Sequence, residues 1–408
     1  MKQNIQCRIC ESRELIKFLD LGNQPLANSF LRTEKEFKTE ERYPLQVCFC
    51  NQCHLVQLSV VVSKEKLFSD YIYFSSGMPK LSNHFKAYAE EVTDRFLEPN
   101  DFVVEIASND GILLKFFKDK GYRTLGIDPA VNVVRIAEQF GVRTLENFFS
   151  EKLAKQIAKD EGKAKLILAN NVVAHIDDHQ DLMKGVRTLL APDGVFVIEA
   201  PYLVDMFENL TYDTIYHEHL SYLALRPLKR LFENFDMEAF DMEINIVQGK
   251  SLRIFVGHRG KHKITTNINK YTELELSMKM DSLKVYKQLA NKIAKQKKQL
   301  RKLLNDLRRQ GKKIASYGAP AKGNTMLNYC NIGTDVLDYA LEDLQVKQNM
   351  FTPGMHIPTV SADYAHSHEP DYYLMLAWNY EKQILEKEQD FLKKGGKFII
   401  PVEGIKII

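Results

Sequence analysis

From Asn100 onward the chain alternates short, almost wholly apolar runs with segments of helical period, and this alternation constrains the fold more than any other feature. DFVVEIA reads as a strand buried on both faces, followed by the turn SNDG and the helix ILLKFFKDKG, which ends at Gly121. TLGIDPA and VNVVRIAEQFG repeat the pattern, and KLILANNVVAHI, QDLMKGVRTLL and GVFVIEAPYL continue it. Such alternation predicts an α/β fold built on a doubly wound, mostly parallel sheet, with ligands at the carboxyl ends of its strands.

Glu105 closes the first of these strands and Asp128 the second. A carboxylate at the second strand end is the usual partner of a ribose diol in such sheets. The turn after Glu105, E-I-A-S-N-D-G, has one glycine and so lacks the G-x-G-x-x-G pattern that lets a backbone approach a pyrophosphate. S-adenosyl-L-methionine carries no phosphate and needs no such approach. A nucleotide-binding doubly wound sheet of another kind is the competing reading.

Five of the six cysteines fall within the first 53 residues, and Cys7/Cys10 and Cys50/Cys53 are both C-x-x-C pairs. Each pair can present two thiolates from one tight turn, and two such knuckles complete a tetrahedral Zn²⁺ site. Four sulfur ligands leave no open position for water, so the site reads as structural; buried free thiols or a redox pair are the alternatives. Cys48 is left spare.

Tyr216, His217, Glu218 and His219 stand consecutively in YDTIYHEHLSYL. Packing alone explains such a run poorly, because burying it demands several hydrogen bonds at once. Histidines two apart lack the H-E-x-x-H geometry of a zinc protease, so acid–base chemistry is the preferred reading. The stretch from Val61 to His84, with Tyr71, Tyr73, Ser75 and Ser76, begins no obvious regular element and reads as a connecting segment or a loop over a ligand. A long charged helix follows from about Thr266 to Gln310, read as a solvated link between two domains. Beyond it KKIASYGA, LDYALED, DYYLMLAW and KFIIPV form a second set of strands. The loop GAPAKGNT offers amides at a helix start together with Lys322, which suits an anion, although it is not a Walker motif.

Fifty-six basic residues against 53 acidic ones leave a net charge of +3, too even for a nucleic-acid binder. No apolar run reaches bilayer length and the N-terminus lacks a signal-peptide core, so the expected location is cytoplasmic, with no membrane partner.

Taken in order, CRIC, LDLGNQPLANSF, CNQCHLVQL, YIYFSS, EIASNDGILL, NNVVAHI, APYLVD, TIYHEHLSY, SLR, GAPAKGNTMLNY and PGMHIP resemble the nucleotide-sugar C-methyltransferases of deoxysugar biosynthesis. The resemblance spans nearly the whole chain. It implies a zinc-binding domain over 1–66, an adenosylmethionine-dependent methyltransferase domain over 67–265, and a linking helix with a Rossmann-like domain over 266–408. It also implies a nucleoside-diphosphate 4-keto-deoxysugar as substrate, methylated at C-3, with acid–base residues at His175, Tyr216, Glu218 and His219. Where the family reads His-Gly-Gly before Ser-Leu-Arg, this chain has Gln248, Gly249 and Lys250, a departure that bears on sugar recognition.

Methylation at carbon needs a carbanion equivalent, and an unaided histidine is too weak a base to generate one beside a ketone. The expected arrangement makes His219 the base, oriented by Glu218, with Tyr216 and His175 donating to the C-4 oxygen. The cofactor is expected on Glu105, Asp110, Gly111, Asp128, Asn170 and Asn171. The substrate is expected on Tyr73, Ser75, Arg253 and Lys322, the last two toward its phosphates, and the zinc on Cys7, Cys10, Cys50 and Cys53. Nothing in the pattern calls for more than a monomer. O-methylation, another keto substrate, or an inactive zinc-containing binding protein are the rival readings.

Overall fold

The computed structural model describes residues 2–68, 76, 79–246, 249–402 and 404–408. The apolar runs after Asn100 form one seven-stranded sheet, in the order Met237–Asn245, Ser251–His258, Leu190–Pro201, Ala164–Asn170, Phe102–Ile106, Arg123–Asp128 and Thr144–Glu146. The last five run parallel, and Ser251–His258 is antiparallel to both neighbours. Alternate side chains along these strands enter two separate cores. Val103, Leu166, Leu168 and Val197 pack under the helices Pro79–Phe96 and Ile112–Asp119. Val104, Ile167, Phe196 and Ile198 pack with Ile157, Met183 and Val186 of Glu151–Asp160 and His179–Leu189 on the opposite face. Apolar residues are therefore needed at every strand position, which is why the runs lack a polar alternation. Strand order reverses between Phe102–Ile106 and Ala164–Asn170, and the crevice at that switch point is where such sheets bind ligands.

A four-stranded sheet stands before it, built from Leu15–Gln24, Tyr43–Cys50 and Val56–Leu58. Its fourth strand, Ser221–Tyr222, comes from the far end of the Tyr-His-Glu-His run, with Ser221 opposite Gln57 and Tyr222 opposite Val56. The third large sheet is C-terminal, ordered Thr359–Val360, Ala340–Leu341, Ile314–Tyr317, Tyr372–Met375, Lys397–Ile400 and Lys406–Ile407. All its pairs are parallel except the last.

Two regions depart from the sequence reading. The segment 61–84 holds regular structure after all: a short helix Lys64–Phe68, and the start of Pro79–Phe96, where proline occupies the first helical position and loses no hydrogen bond. The expected single helix over 266–310 is two, Thr266–Ser277 and Leu283–Arg309. Lys279, in the left-handed region at φ 55°, ends the first, and the Tyr286 hydroxyl holds the intervening turn by donating to the Met280 carbonyl at 2.9 Å. Nor is the second helix merely solvated. Tyr286, Leu289, Ile293, Leu300 and Leu304 are buried along one stripe, against the strand Leu15–Gln24 and the helix Ala321–Cys330. Among the described residues no helix is long and apolar enough to cross a membrane.

Candidate active site

The two C-x-x-C knuckles are built alike. The Cys7 carbonyl accepts from the Glu11 amide at 2.9 Å and the Cys50 carbonyl from the His54 amide at 3.0 Å. Glu11 and His54 both adopt positive φ, which turns each knuckle back on itself. The Sγ atoms of Cys7, Cys10, Cys50 and Cys53 lie within 4.8 Å of one another, with Cys7–Cys53 at 3.4 Å and Cys10–Cys50 at 3.5 Å. Zn–S bonds of about 2.3 Å set tetrahedral sulfurs about 3.8 Å apart, so this donor set fits Zn²⁺. Cys48 is buried and stands outside the group.

At the switch point of the seven-stranded sheet the turn 107–111 brings three acidic side chains together. Ala107, Asn109 and Gly111 take positive φ, the last at 75° where glycine avoids the Cβ penalty. Asp128 accepts from the Ala130 and Asn109 amides, each at 2.9 Å, which fixes the carboxylate at its strand end. Burial raises its pKa, and those two amides oppose the rise. Glu105 accepts from Asn170 Nδ2 at 3.1 Å through one oxygen; the other is buried with no partner among the described residues. Burial pushes the Glu105 carboxyl up to about 8. Asp110 accepts from the Ser76 amide at 2.8 Å, and its second oxygen is likewise buried and unpartnered among the described residues. The Asn171 amide donates to the Glu199 carbonyl at 2.6 Å. Buried acceptors with unused lone pairs suit a ligand rich in donors, as the ribose hydroxyls and amino group of adenosylmethionine are.

The ionisable run forms a second centre. His219 Nδ1 lies 2.8 Å from the Thr214 carbonyl oxygen, which can only accept, so Nδ1 carries the proton. Nε2 then holds the lone pair and accepts from the Tyr216 hydroxyl at 2.8 Å. The His175 ring stands 5.0 Å from that of His219 and stacks on Phe68 at 5.7 Å. Burial lowers the pKa of both imidazoles, that of His175 to about 4, so both are neutral near pH 7. Glu218 does not orient His219. Its carboxyl accepts instead from Asn28 Nδ2 at 2.7 Å, and burial pushes it up to about 7. The Thr214 carbonyl holds the His219 ring instead, while the adjacent Glu218 side chain turns to Asn28. His217 sits edge-on to the Tyr43 ring, and its Nε2 donates to the Tyr43 carbonyl at 3.3 Å.

His219 and Lys322 line one cavity, with Thr214, Asp205, Tyr222 and Trp378. Lys322 is held over the Trp378 ring, 4.8 Å from its centroid. The Trp378 indole in turn donates to Asp213 at 2.6 Å. Burial lowers the Lys322 pKa, while Asp213 and Asp205 act to keep it charged. The sequence reading missed Trp378, Asp205 and Asp213; Trp378 is the only tryptophan of the chain, a signal that was present without a partner to interpret it. Arg253 is not among the residues lining this cavity. It lies over the Tyr88 ring at 3.7 Å and pairs with Glu199 and Glu91, both at 2.8 Å. Glu199 also meets His84 at 2.6 Å, so this network fastens the helix Pro79–Phe96 to the sheet. Tyr73, Ser75 and Gln248 lie outside the described residues.

Comparison with known proteins shows the family. Three family models match in succession: a zinc-binding domain over residues 7–68, a methyltransferase domain over 81–240, and a C-methyltransferase C-terminal domain over 246–403. The C-methyltransferase NovU of Streptomyces niveus is 34% identical over 405 residues, covering 99% of this chain and 96% of its own. Among solved structures, the plantazolicin methyltransferase BpumL with SAH aligns to 43% of this chain and 82% of its own, at 12% identity and a TM-score of 0.35. An adenosylmethionine-dependent methyltransferase of Anabaena variabilis aligns to 50% and 100%, at 15% identity and a TM-score of 0.34. Likenesses that distant bear on neither substrate nor mechanism. The full-length relative and the three successive domain matches show that this chain belongs to the adenosylmethionine-dependent C-methyltransferases that carry a zinc-binding domain.

Proposed function

We propose that the protein methylates C-3 of a nucleoside-diphosphate 4-keto-deoxysugar through an enolate. The observation that carries this reading is His219, hydrogen-bonded to Tyr216, lining one cavity with the half-buried cation Lys322. His219 is neutral near pH 7 and its tautomer leaves Nε2 as the base. The Tyr216 hydroxyl has one proton to give. Donated to the substrate's C-4 oxygen, it frees Nε2 to take the C-3 proton and stabilises the enolate that forms. Adenosylmethionine, when bound, supplies the sulfonium methyl that the enolate carbon attacks, with adenosylhomocysteine as the leaving group. Glu105, Asp110, Gly111, Asp128, Asn170 and Asn171 are assigned to holding that cofactor, Lys322 to the substrate's phosphates, and His175 to a second donor at the C-4 oxygen. The four cysteines would hold zinc as a structural ion, outside the chemistry.

Incubation with adenosylmethionine and a panel of nucleotide 4-keto-6-deoxysugars in deuterated water, read by mass spectrometry, tests the reading. The expected product is heavier by one methyl, and withholding adenosylmethionine leaves deuterium washed into C-3. A methylated product with no exchange points to O-methylation and overturns the enolate. Lys322→Ala is expected to raise the KM of the nucleotide sugar at least about tenfold, the loss of one charge-assisted contact, while that of adenosylmethionine stays within about twofold. Equal changes in both would remove Lys322 from the phosphate site.

A further inference from the structure

Arg8 lies inside the first knuckle, between Cys7 and Cys10, yet its side chain leaves the knuckle and is 1% exposed. Nε donates to Asp177 Oδ1 at 3.0 Å, and Nη1 donates to the carbonyl oxygens of Leu58 and Leu220 at 3.0 and 3.1 Å. Leu220 directly follows His219, and Asp177 comes two residues after His175. One planar group thus ties the knuckle to both segments that carry the facing imidazoles. The backbone around it is pinned as well. The Arg8 amide donates to Gln57 Oε1 at 2.9 Å, and Gln180 Nε2 donates to the Ile9 carbonyl at 2.9 Å. Nη2 is buried with no partner among the described residues. A buried charge with an unspent donor is a poor stabiliser beside an apolar side chain of similar volume. A rigid fork that spans three acceptors is, however, well suited to setting a distance, which a lysine ammonium is not.

We propose that Arg8 is a positioning residue for the proton transfer: it sets the spacing of His175 and His219 and so couples the metal-binding knuckle to the assembly of the base. The inference rests on His219 being that base. Its test uses the full chain with Arg8→Met, Arg8→Lys and Asp177→Asn, the last cutting one limb of the strut outside the knuckle. Zinc content, kcat, both KM values, C-3 deuterium exchange and the imidazole NMR resonances of His175 and His219 are measured for each.

Zinc is expected to stay at wild-type content and the KM of adenosylmethionine within about twofold. In Arg8→Met, kcat and exchange should fall together by about 100-fold, as a misplaced catalytic group does. Arg8→Lys should recover only part of that loss, and Asp177→Asn should lose about tenfold, the value of one charge-assisted hydrogen bond. Full turnover in Arg8→Met with zinc retained overturns the proposal. So does a loss of activity that tracks loss of zinc in every variant, which would make Arg8 a staple of the knuckle alone. Failure of the base assignment reads differently: His219→Asn keeps its exchange while both imidazole resonances still move in Arg8→Met, and the spacing role stands. Unmoved resonances in Arg8→Met overturn that role.

Discussion

Replacing His219 with Asn is expected to lower kcat by about a thousandfold, the span of a general base, with C-3 deuterium exchange falling in step. That corresponds to about 4 kcal/mol of transition-state stabilisation. Asparagine can still donate to the Thr214 carbonyl, so the loop is expected to hold and adenosylmethionine to bind as before. The same geometry sets the sign of the pH dependence. Burial, with His175 and Lys322 nearby, holds the His219 pKa below its ordinary 6.5. Protonation consumes the lone pair on Nε2, so activity should persist at pH 6.5 and be lost only as pH falls through that lowered value. A rate within about tenfold of wild type for His219→Asn, far short of a general base's span, contradicts the assignment. An acid limb above pH 6.5 does the same.

The second large effect concerns the metal. Cys50→Ser, or chelation of the wild-type chain, is expected to unfold the N-terminal sheet and with it abolish turnover. Structural zinc sites contribute apparent free energies of about 10–16 kcal/mol, as much as the whole stability of a typical domain. The sheet that depends on it includes Ser221–Tyr222, only two residues beyond His219, so its loss releases the base as well. The residues assigned to adenosylmethionine stand at the strand ends of a different sheet, where Asp128 and Glu105 take their hydrogen bonds from Ala130, Asn109 and Asn170 of that sheet's own strand ends and turns. Calorimetry should therefore find adenosylmethionine affinity retained within about threefold while turnover disappears, a split far wider than the factor of ten that 1.4 kcal/mol represents. Limited proteolysis should cut first between residues 2 and 58. Turnover retained in zinc-free protein would show that the sheet holds without metal.

Much of this was legible in the sequence because the relevant signals are local. Wholly apolar runs spaced by amphipathic helices require a parallel sheet covered on both faces, and Glu105 and Asp128 followed from where those runs end. Paired C-x-x-C spacing named the four thiols that converge. The resemblance of eleven ordered motifs carried the reaction class and the candidate run at Tyr216–His219. Lys322 was also legible, from a helix-opening loop, though not what it would face.

Orientation was another matter. Sequence adjacency suggested that Glu218 orients His219, but neighbouring side chains on a loop diverge, and a backbone carbonyl four positions before Glu218 does the work. Arg253 reads as a phosphate ligand until its two carboxylate partners, from a strand and a helix distant in the chain, are seen to hold it. The 266–310 helix reads as continuous because the turn that breaks it depends on a hydrogen bond to a side chain. The sequence by itself determined which segments become strands, helices and knuckles, since period, spacing and turn chemistry act over a few residues. Only the tertiary structure decided that a strand just beyond the Tyr-His-Glu-His run completes the N-terminal sheet, that Trp378 and His219 line one cavity, and that an arginine between two cysteines bonds to the segments beside both His175 and His219. Those contacts join residues up to hundreds of positions apart, and they form only when burial of one core shared by the three sheets brings them together.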